Sequence, residues 1–208
     1  MKRIITAFIV ILLTVSGQVC AQTVVDKAID ACIGISAAAR EGSTTKMKSS
    51  LAALRACDAS PLVLRVEGQQ GDLDGHMVFD EEYIDSLISN RMVLKEAKRY
   101  AKMRNTRGTG ASACRIGTYV ADPGASLTFK TSGRGQKTVG VVGEPDGMFS
   151  MTITDKAKKQ LYTDTKDVKK GQNSRRATVT LPEKSATTIY ITVTNRGKQA
   201  KSFALITN

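Results

Sequence analysis

Residues 187–194 read TTIYITVT, a stretch in which branched apolar side chains alternate with threonine and tyrosine. Because successive side chains of a β-strand point to opposite faces of a sheet, this alternation predicts a strand with one buried face. The turn sequence Asn195-Arg196-Gly197 follows it, and the apolar segment 202–207 comes next. The two segments are therefore predicted to be consecutive strands, separated by a turn, in the last part of the sequence.

Short segments of the same kind fill the part of the chain that follows Cys114. Turn signals such as Gly133-Arg134-Gly135 separate them, and no helical pattern lies between them. Strands at this spacing predict an antiparallel β-sandwich. The predicted strands are residues 126–131, 137–142, 148–154, 159–163, 175–181, 187–194 and 202–207.

The part of the chain before this sandwich has the pattern of helices. Apolar residues recur every four positions within residues 22–41, which predicts an amphipathic helix that ends at Gly42. Ser43 can begin a second helix, and the pair Ser60-Pro61 stops it. Two helices joined by so short a turn predict an αα-hairpin.

A third helix is predicted with its N-cap at Asp80 and its end near residue 104. We therefore expect an α+β fold in which a helical hairpin and a third helix precede a jelly-roll-like antiparallel β-sandwich. The expected division is a signal peptide over residues 1–21, a helical region over 22–110 and a β-sandwich domain over 111–208.

The first 21 residues have the pattern of a secretion signal. Lys2 and Arg3 form a basic start, residues 4–15 are mainly apolar, and Val19-Cys20-Ala21 offers small residues at a cleavage site. The apolar stretch is shorter than the roughly 20 residues that span a bilayer, and no later stretch approaches that length. We therefore expect an exported protein of the bacterial periplasm or cell surface, with no transmembrane segment in its mature part.

Export implies an oxidising compartment, in which cysteines can pair. After the signal the chain holds Cys32, Cys57 and Cys114. Cys32 lies about nine residues before the hairpin turn and Cys57 about fourteen after it, which at about 1.5 Å per residue leaves an offset of several ångströms. A helix that starts late or bends would close this offset, and we expect a Cys32–Cys57 disulfide. The alternative is that the cysteines are buried apolar side chains.

Positive charge is concentrated in the C-terminal part of the chain. Residues 130–208 hold 15 basic and 6 acidic residues, whereas residues 22–129 hold 14 and 13. A basic surface attracts anionic polymers such as acidic polysaccharides, and export argues against nucleic acid as the partner. The alternative is that the lysines are solvated and block pairing between strand edges. The candidate ligand-binding residues are Lys156, Lys158, Lys159, Lys166, Lys169, Lys170, Arg175 and Arg176.

Candidates for catalysis are few. His76 is the single histidine, and it lies within an acidic cluster over residues 67–85. A hydrolase would have to use His76 with that cluster, although acids also suit the first turn of a helix. The residues from Asp72 onward do not match the pattern of a calcium-binding loop, because Met77 lies at the position where that pattern requires glycine. Cys114 has only His76 as a candidate base. We therefore expect no enzymatic activity, no metal site and no cofactor.

Four segments carry a resemblance to a known family: GASLTF at 124–129, MFSMTITD at 148–155, IYITVTN at 189–195 and SFALI at 202–206. With these segments, residues 124–208 resemble the jelly-roll sandwiches called pre-peptidase C-terminal domains. The aspartate-rich strand start of many such domains is reduced here to Asp146-Gly147. Such domains are accessory modules, so the resemblance implies binding or stabilisation. The signal, hairpin and sandwich together also resemble exported proteins of gut bacteria.

The leading interpretation is a non-enzymatic accessory or binding protein of the bacterial cell envelope. Its basic sandwich would contact an anionic glycan or an envelope protein. One alternative is a structural subunit of an envelope complex, bound through the helical region. The other is a hydrolase that uses His76 and the acidic cluster over residues 67–85.

Overall fold

The computed structural model describes residues 23–62, 64–68, 81–106, 114–164 and 173–208. Within these ranges the helices are α1 Val24–Glu41, α2 Thr44–Ala56, α3 Glu81–Leu87 and α4 Arg91–Thr106. The strands are β1 Ser60–Pro61, β2 Arg115–Ala121, β3 Ser126–Gly133, β4 Gly135–Gly143, β5 Phe149–Asp155, β6 Gln160–Asp164, β7 Ser174–Leu181, β8 Thr187–Asn195 and β9 Lys201–Thr207. The predicted signal peptide and the predicted domain boundary near residue 110 lie outside the described residues.

The predicted helical hairpin is present as α1 and α2. The Thr23 side chain caps α1 by accepting a hydrogen bond from the Asp26 N–H, and Gly42 ends the helix with φ of 65°. Glycine suits this left-handed conformation because it has no Cβ. Ser43 caps α2 in the same way as Thr23 caps α1. In the described part of the chain, no helix has both the length and the apolar character needed to cross a bilayer.

The predicted third helix consists of two helices. α3 ends at Leu87, and Asn90 starts α4 by accepting hydrogen bonds from the N–H groups of Met92 and Val93 at 3.0 and 3.4 Å. Asparagine is among the preferred N-cap residues, because its side-chain oxygen satisfies N–H groups that the helix leaves unpaired. The prediction of one continuous helix was wrong, because apolar residues on both sides of Asn90 maintained the helical spacing.

The strands form two sheets that pack as a jelly roll. One sheet has the order β1-β2-β9-β4-β7 and the other β3-β8-β5-β6. All pairs are antiparallel except β1 with β2. The α+β class with a jelly-roll-like antiparallel sandwich is therefore confirmed. Strand β2 was not predicted, because Gly117 interrupts its pattern; a Cβ at Gly117 would lie 2.3 Å from the carbonyl oxygen of Leu62.

Two apolar clusters give the molecule three layers. The first joins the helices to the outer face of the β1-β2-β9-β4-β7 sheet, where Ile29 packs on Gly140 and beside Ile206. The second lies between the sheets, and Phe129 and Phe203 are fully buried in it. Burial of one such ring contributes about 1.5–3 kcal/mol. The outer face of the β3-β8-β5-β6 sheet carries no helix within the described residues.

The expected Cys32–Cys57 disulfide is not formed. Cys32, Cys57 and Cys114 are buried thiols. Cys57 lies at the C-cap of α2, and its Sγ donates to the carbonyl oxygen of Ala53 at 3.3 Å, so the thiol points back along its own helix. Burial raises the pKa of Cys114 to about 12, with a smaller contribution from Cys57. The Cys114 thiol therefore stays protonated at neutral pH, which suits a core side chain and not a nucleophile.

Candidate anion-binding site

The structure separates the basic residues that are neighbours in the sequence. Lys156, Lys158 and Lys159 are exposed in the turn between β5 and β6. Arg175 and Arg176 lie on β7, which begins beyond the other end of β6. A strand of about five residues spans roughly 17 Å, so these two groups lie at opposite ends of the sandwich. Lys166, Lys169 and Lys170 lie outside the described residues.

Both arginines on β7 have partners within the molecule. Arg175 is buried, and its Nε lies 2.8 Å from Oδ2 of Asp164. Arg176 forms ion pairs with Asp26, at 3.3 Å, and with Asp30 on α1. These contacts join β7 to β6 and to the helical layer. The two arginines therefore stabilise the fold, and their charge is already balanced.

Three turns meet at one end of the sandwich, which we call the basic end. The strand registers bring them together: Gly135 on β4 pairs with Leu181 on β7, and Gly133 on β3 pairs with Thr187 on β8. Asp155, the last residue of β5, pairs with Ile189 on β8. Among the described residues, the cations at this end include Arg115, Arg134, Lys137, Lys156, Lys158, Lys159 and Lys184, and the acids include Asp155 and Glu183.

The space between the sheets becomes polar at the basic end. Strand alternation places Arg115 on the face of β2 that also carries Tyr119, and Lys137 on the face of β4 that carries Val139. Tyr119 and Val139 belong to the cluster between the sheets. Arg115 and Lys137 therefore occupy inward positions at the ends of their strands. They line an open cavity of about 270 Å³ with Arg134 from the turn between β3 and β4.

The other lining groups of this cavity are mostly neutral and polar. Thr131, Thr207 and Asn208 contribute hydroxyl and amide groups, and Leu62 is apolar. None of the described lining residues is acidic. The three cations therefore face a cavity in which no side chain balances them.

Lys137 is the most buried of these cations, with 6% of its surface exposed. Its Nζ donates a hydrogen bond to the backbone carbonyl oxygen of Asn208 at 2.7 Å. Its aliphatic stem lies against Gly133, where a Cβ would be 3.1 Å from Lys137 Cδ. Burial, and to a lesser extent the charge of Arg115, lower the pKa of Lys137. An anion in the cavity would offset this desolvation, since opposite charges favour the protonated form.

Side-chain hydrogen bonds hold Asn208 in the position where its backbone oxygen accepts from Lys137 Nζ. The Asn208 side chain accepts a hydrogen bond from the Thr138 N–H and donates one to the Gln136 carbonyl oxygen, both at 3.0 Å. An ammonium has three donors. The hydrogen bond to Asn208 thus uses only one donor of Lys137.

One apolar residue at this cavity comes from the segment between the helices and the sandwich. The hydroxyl of Tyr119 donates to the carbonyl oxygen of Leu62 at 3.3 Å and accepts from the N–H of Leu64 at 3.2 Å. Val66 then forms a β-bridge with Phe129. The segment therefore crosses from one sheet to the other and places Leu62 in the lining of the cavity.

The other candidate groups form no comparable site in the described residues. His76 and residues 69–80 lie outside them, so the hydrolase hypothesis stays a prediction. A larger cavity of about 610 Å³ lies between α1 and α2. Small side chains such as Ala31, Ala53 and Ala56 line most of it. No group of three or more His, Cys, Asp or Glu in the described ranges is arranged to hold a metal ion.

Sequence reasoning did not select Arg115, Arg134 or Lys137. A signal for Lys137 exists, because it continues the inward alternation of Val139 and Val141 on β4. A lysine at a position that the strand period assigns to the core is unusual, since lysine is almost never fully buried without a partner. No local signal identifies Arg115, because its strand was not predicted.

The comparisons with known proteins concern the sandwich fold. No family model and no curated protein matches the chain. Among solved structures, PliG of Aeromonas hydrophila, a periplasmic inhibitor of g-type lysozyme, aligns with a TM-score of 0.35 and 8% identity, over 49% of this chain and 90% of that chain. The pre-peptidase C-terminal domain of collagenase from Bacillus anthracis aligns with a TM-score of 0.28 and 10% identity, over 48% of this chain and 80% of that chain.

A carbohydrate-binding protein is among the solved structures as well. TmCBM61 in complex with β-1,4-galactotriose aligns with a TM-score of 0.26 and 13% identity, over 47% of this chain and 83% of that chain. Similarities of this size carry no inference about this chain, and fold alone does not determine function.

Proposed function

We propose that this chain is a non-enzymatic binding protein of the bacterial cell envelope that holds an anionic glycan at the basic end of its sandwich. The observation that supports it is the convergence of Arg115, Arg134 and Lys137 on one open cavity with no acidic residue in its described lining. Cations that no acidic side chain balances attract anions, and a concave site with polypeptide walls strengthens that attraction.

The exposed lysines of the turn between β5 and β6 extend this site. One strand, β8, lies between β3 and β5 in the sheet. At about 4.8 Å per strand, the turn with Lys156, Lys158 and Lys159 is roughly 10 Å from β3 at the cavity's edge. A polymer with repeated negative charges is long enough to contact both groups. A polyanionic glycan therefore fits the basic end better than an isolated small anion.

The test is retention of the full exported chain on immobilised acidic and neutral polysaccharides over a range of salt concentrations. We expect retention on the acidic polymers only, and its loss near 1 M salt, where the screening length falls to about 3 Å. Arg134→Gln should weaken retention about tenfold, since one charge-assisted hydrogen bond is worth about 1.5–3 kcal/mol.

The matched control is Lys198→Gln, which removes the same charge from an exposed position in the turn between β8 and β9. This turn lies at the opposite end of the sandwich, so the control should retain the polymer like the unmodified protein. Retention on neutral polymers equal to that on acidic polymers would contradict the proposed function. An equal loss of retention in Arg134→Gln and Lys198→Gln would contradict it as well. Binding to neither polymer would favour a protein partner of the helical region.

A further inference from the structure

The cavity at the basic end is small for a glycan-binding site. Its volume is about 270 Å³, just below the range of about 300–1,000 Å³ that is typical of pockets for small organic ligands. A cavity of this size holds one ring with its substituents, and it does not hold a chain of several sugars. The part of an anionic glycan that enters it is therefore a single residue, at a chain end or on a branch.

The cations in the cavity differ in the geometry of what they can bind. Arg115 and Arg134 carry planar guanidinium groups, which form two parallel hydrogen bonds to the oxygens of one acidic group. Lys137 acts as a point charge, and two of its donors remain after the hydrogen bond to Asn208. The three side chains can therefore converge on one acidic group.

The neutral part of the lining fits the rest of a sugar ring. Thr131, Ser132 and Gln136 offer hydroxyl and amide groups that donate and accept hydrogen bonds, as sugar hydroxyls do. No aromatic side chain is among the described lining residues, so the ring has no flat apolar surface on which to stack. Hydrogen bonds and charge are thus the means by which this cavity can select a ligand.

We infer that the cavity binds one acidic sugar residue, a monosaccharide unit that carries a carboxylate or a sulfate ester. The acidic group contacts Lys137, Arg115 and Arg134, and the ring hydroxyls contact the threonine and amide groups. This inference rests on the proposed function, because it names the part of the anionic glycan that the basic end selects. The lysine turn at Lys156, Lys158 and Lys159 then attracts the remaining polymer and does not touch the bound residue.

The experiment is a competition assay on the full chain bound to an acidic polysaccharide. The competitors are glucuronate, glucose 6-sulfate, glucose and inorganic sulfate. We expect glucuronate, glucose 6-sulfate or both to displace the polymer at concentrations at least tenfold below those of glucose and inorganic sulfate. The more effective of the two acidic sugars identifies the acidic group.

Two variants separate the cavity from the lysine turn. Lys137→Met should lower the affinity for the acidic monosaccharide at least tenfold, and Arg134→Gln, at an exposed position, serves if Lys137→Met does not fold. Lys159→Gln should weaken polymer retention and leave the affinity for the monosaccharide unchanged. A loss of monosaccharide binding in Lys159→Gln would overturn the assignment of the acidic residue to the cavity.

The outcomes distinguish this inference from the proposed function. Polymer retention that no acidic monosaccharide displaces would overturn the inference and leave the proposed function intact. Displacement of the polymer by glucose or inorganic sulfate at the concentrations at which the acidic sugars act would also overturn the inference. Recognition would then not depend on the charge, or not on the sugar. Absence of retention on any acidic polymer would overturn the proposed function itself.

Discussion

The two ends of the sandwich differ in how their buried polar groups are paired. At the end opposite the basic end, which we call the closed end, Asn195 is fully buried. Its Nδ2 donates to the carbonyl oxygens of Ala121 and Gln199 at 2.9 and 2.7 Å, and its Oδ1 accepts from the Gly197 N–H at 2.8 Å. At the basic end, buried Lys137 donates to the backbone oxygen of Asn208 and has a lowered pKa.

The two ends also differ in how their charged side chains are paired. At the closed end Glu144 lies 3.5 Å from Lys201 and accepts a hydrogen bond from the Ser202 N–H, and Arg175 is beside Asp164. At the basic end the charged side chains in the described cavity lining are all cations. A polar group with complete pairing holds turns together, whereas a desolvated cation with incomplete pairing costs stability. This difference is the basis on which we propose a structural role for one end and ligand binding for the other.

The largest expected effect is on stability, at the closed end. Asn195→Ala would leave two carbonyl groups and one N–H without their partner, and we expect a loss of about 2–4 kcal/mol in the free energy of unfolding. For a chain of this size that corresponds to a fall of about 5–10 °C in Tm. Thermal unfolding measures it, with Arg134→Gln as the basic-end control that should change Tm little. A smaller loss in Asn195→Ala than in Arg134→Gln would remove the distinction between the ends.

The next effect is on binding, at the basic end. Lys137→Met should reduce polymer retention about tenfold or more, since about 1.4 kcal/mol corresponds to one factor of ten. The same variant should keep or raise Tm, because methionine needs no solvation at a buried position. Parallel retention and unfolding measurements check both parts. A clear fall in Tm would mean that Lys137 is a structural residue like Asn195.

A pH dependence of stability should follow from the lowered pKa of Lys137. Between that lowered value and the ordinary value of 10.5, the unfolded chain binds this proton and the folded protein does not. Stability therefore rises with pH in this window relative to Lys137→Met, and the deficit is greatest below it. Urea unfolding of both proteins at neutral pH and near pH 10 gives the difference. A difference that is constant with pH would argue against a desolvated ammonium.

The smallest expected effect comes from Gly133. Alanine at this position would bring a Cβ to 3.1 Å from Lys137 Cδ, so the lysine stem must shift by a few tenths of an ångström. We expect Gly133→Ala to lower the affinity for the acidic ligand by about twofold to fivefold, or about 0.4–1 kcal/mol. Alanine at Gly197 is the control, since a Cβ there would meet Asn195 at the closed end. Equal binding in Gly133→Ala and the unmodified protein would show that the lysine adapts freely.

Local patterns in the sequence predicted most of the elements. Alternation located the seven strands that correspond to β3 to β9, and the spacing of apolar residues with the signals at Gly42 and Ser43 located the helical hairpin. The missed strand and the helix that was predicted as continuous also have local causes. Gly117 interrupts the pattern of β2, and the cap at Asn90 divides an otherwise continuous helical periodicity.

Local patterns did not group the residues that the structure brings to the cavity. The lysines near residue 158 and the arginines on β7 are close in sequence, yet β6 carries the chain from one end of the sandwich to the other between them. Arg115 and Lys137 are distant in sequence, and the jelly roll brings them to one cavity, because β9 lies between β2 and β4.

The sequence by itself determined the α+β class, the order of helices before strands, and the excess of positive charge after residue 130. These properties depend on spacing between near neighbours and on composition, which a linear pattern contains. Only the tertiary structure decided which cations are balanced and which face the cavity. Charge balance depends on distances between strands and helices that lie far apart in the chain, and strand order sets those distances.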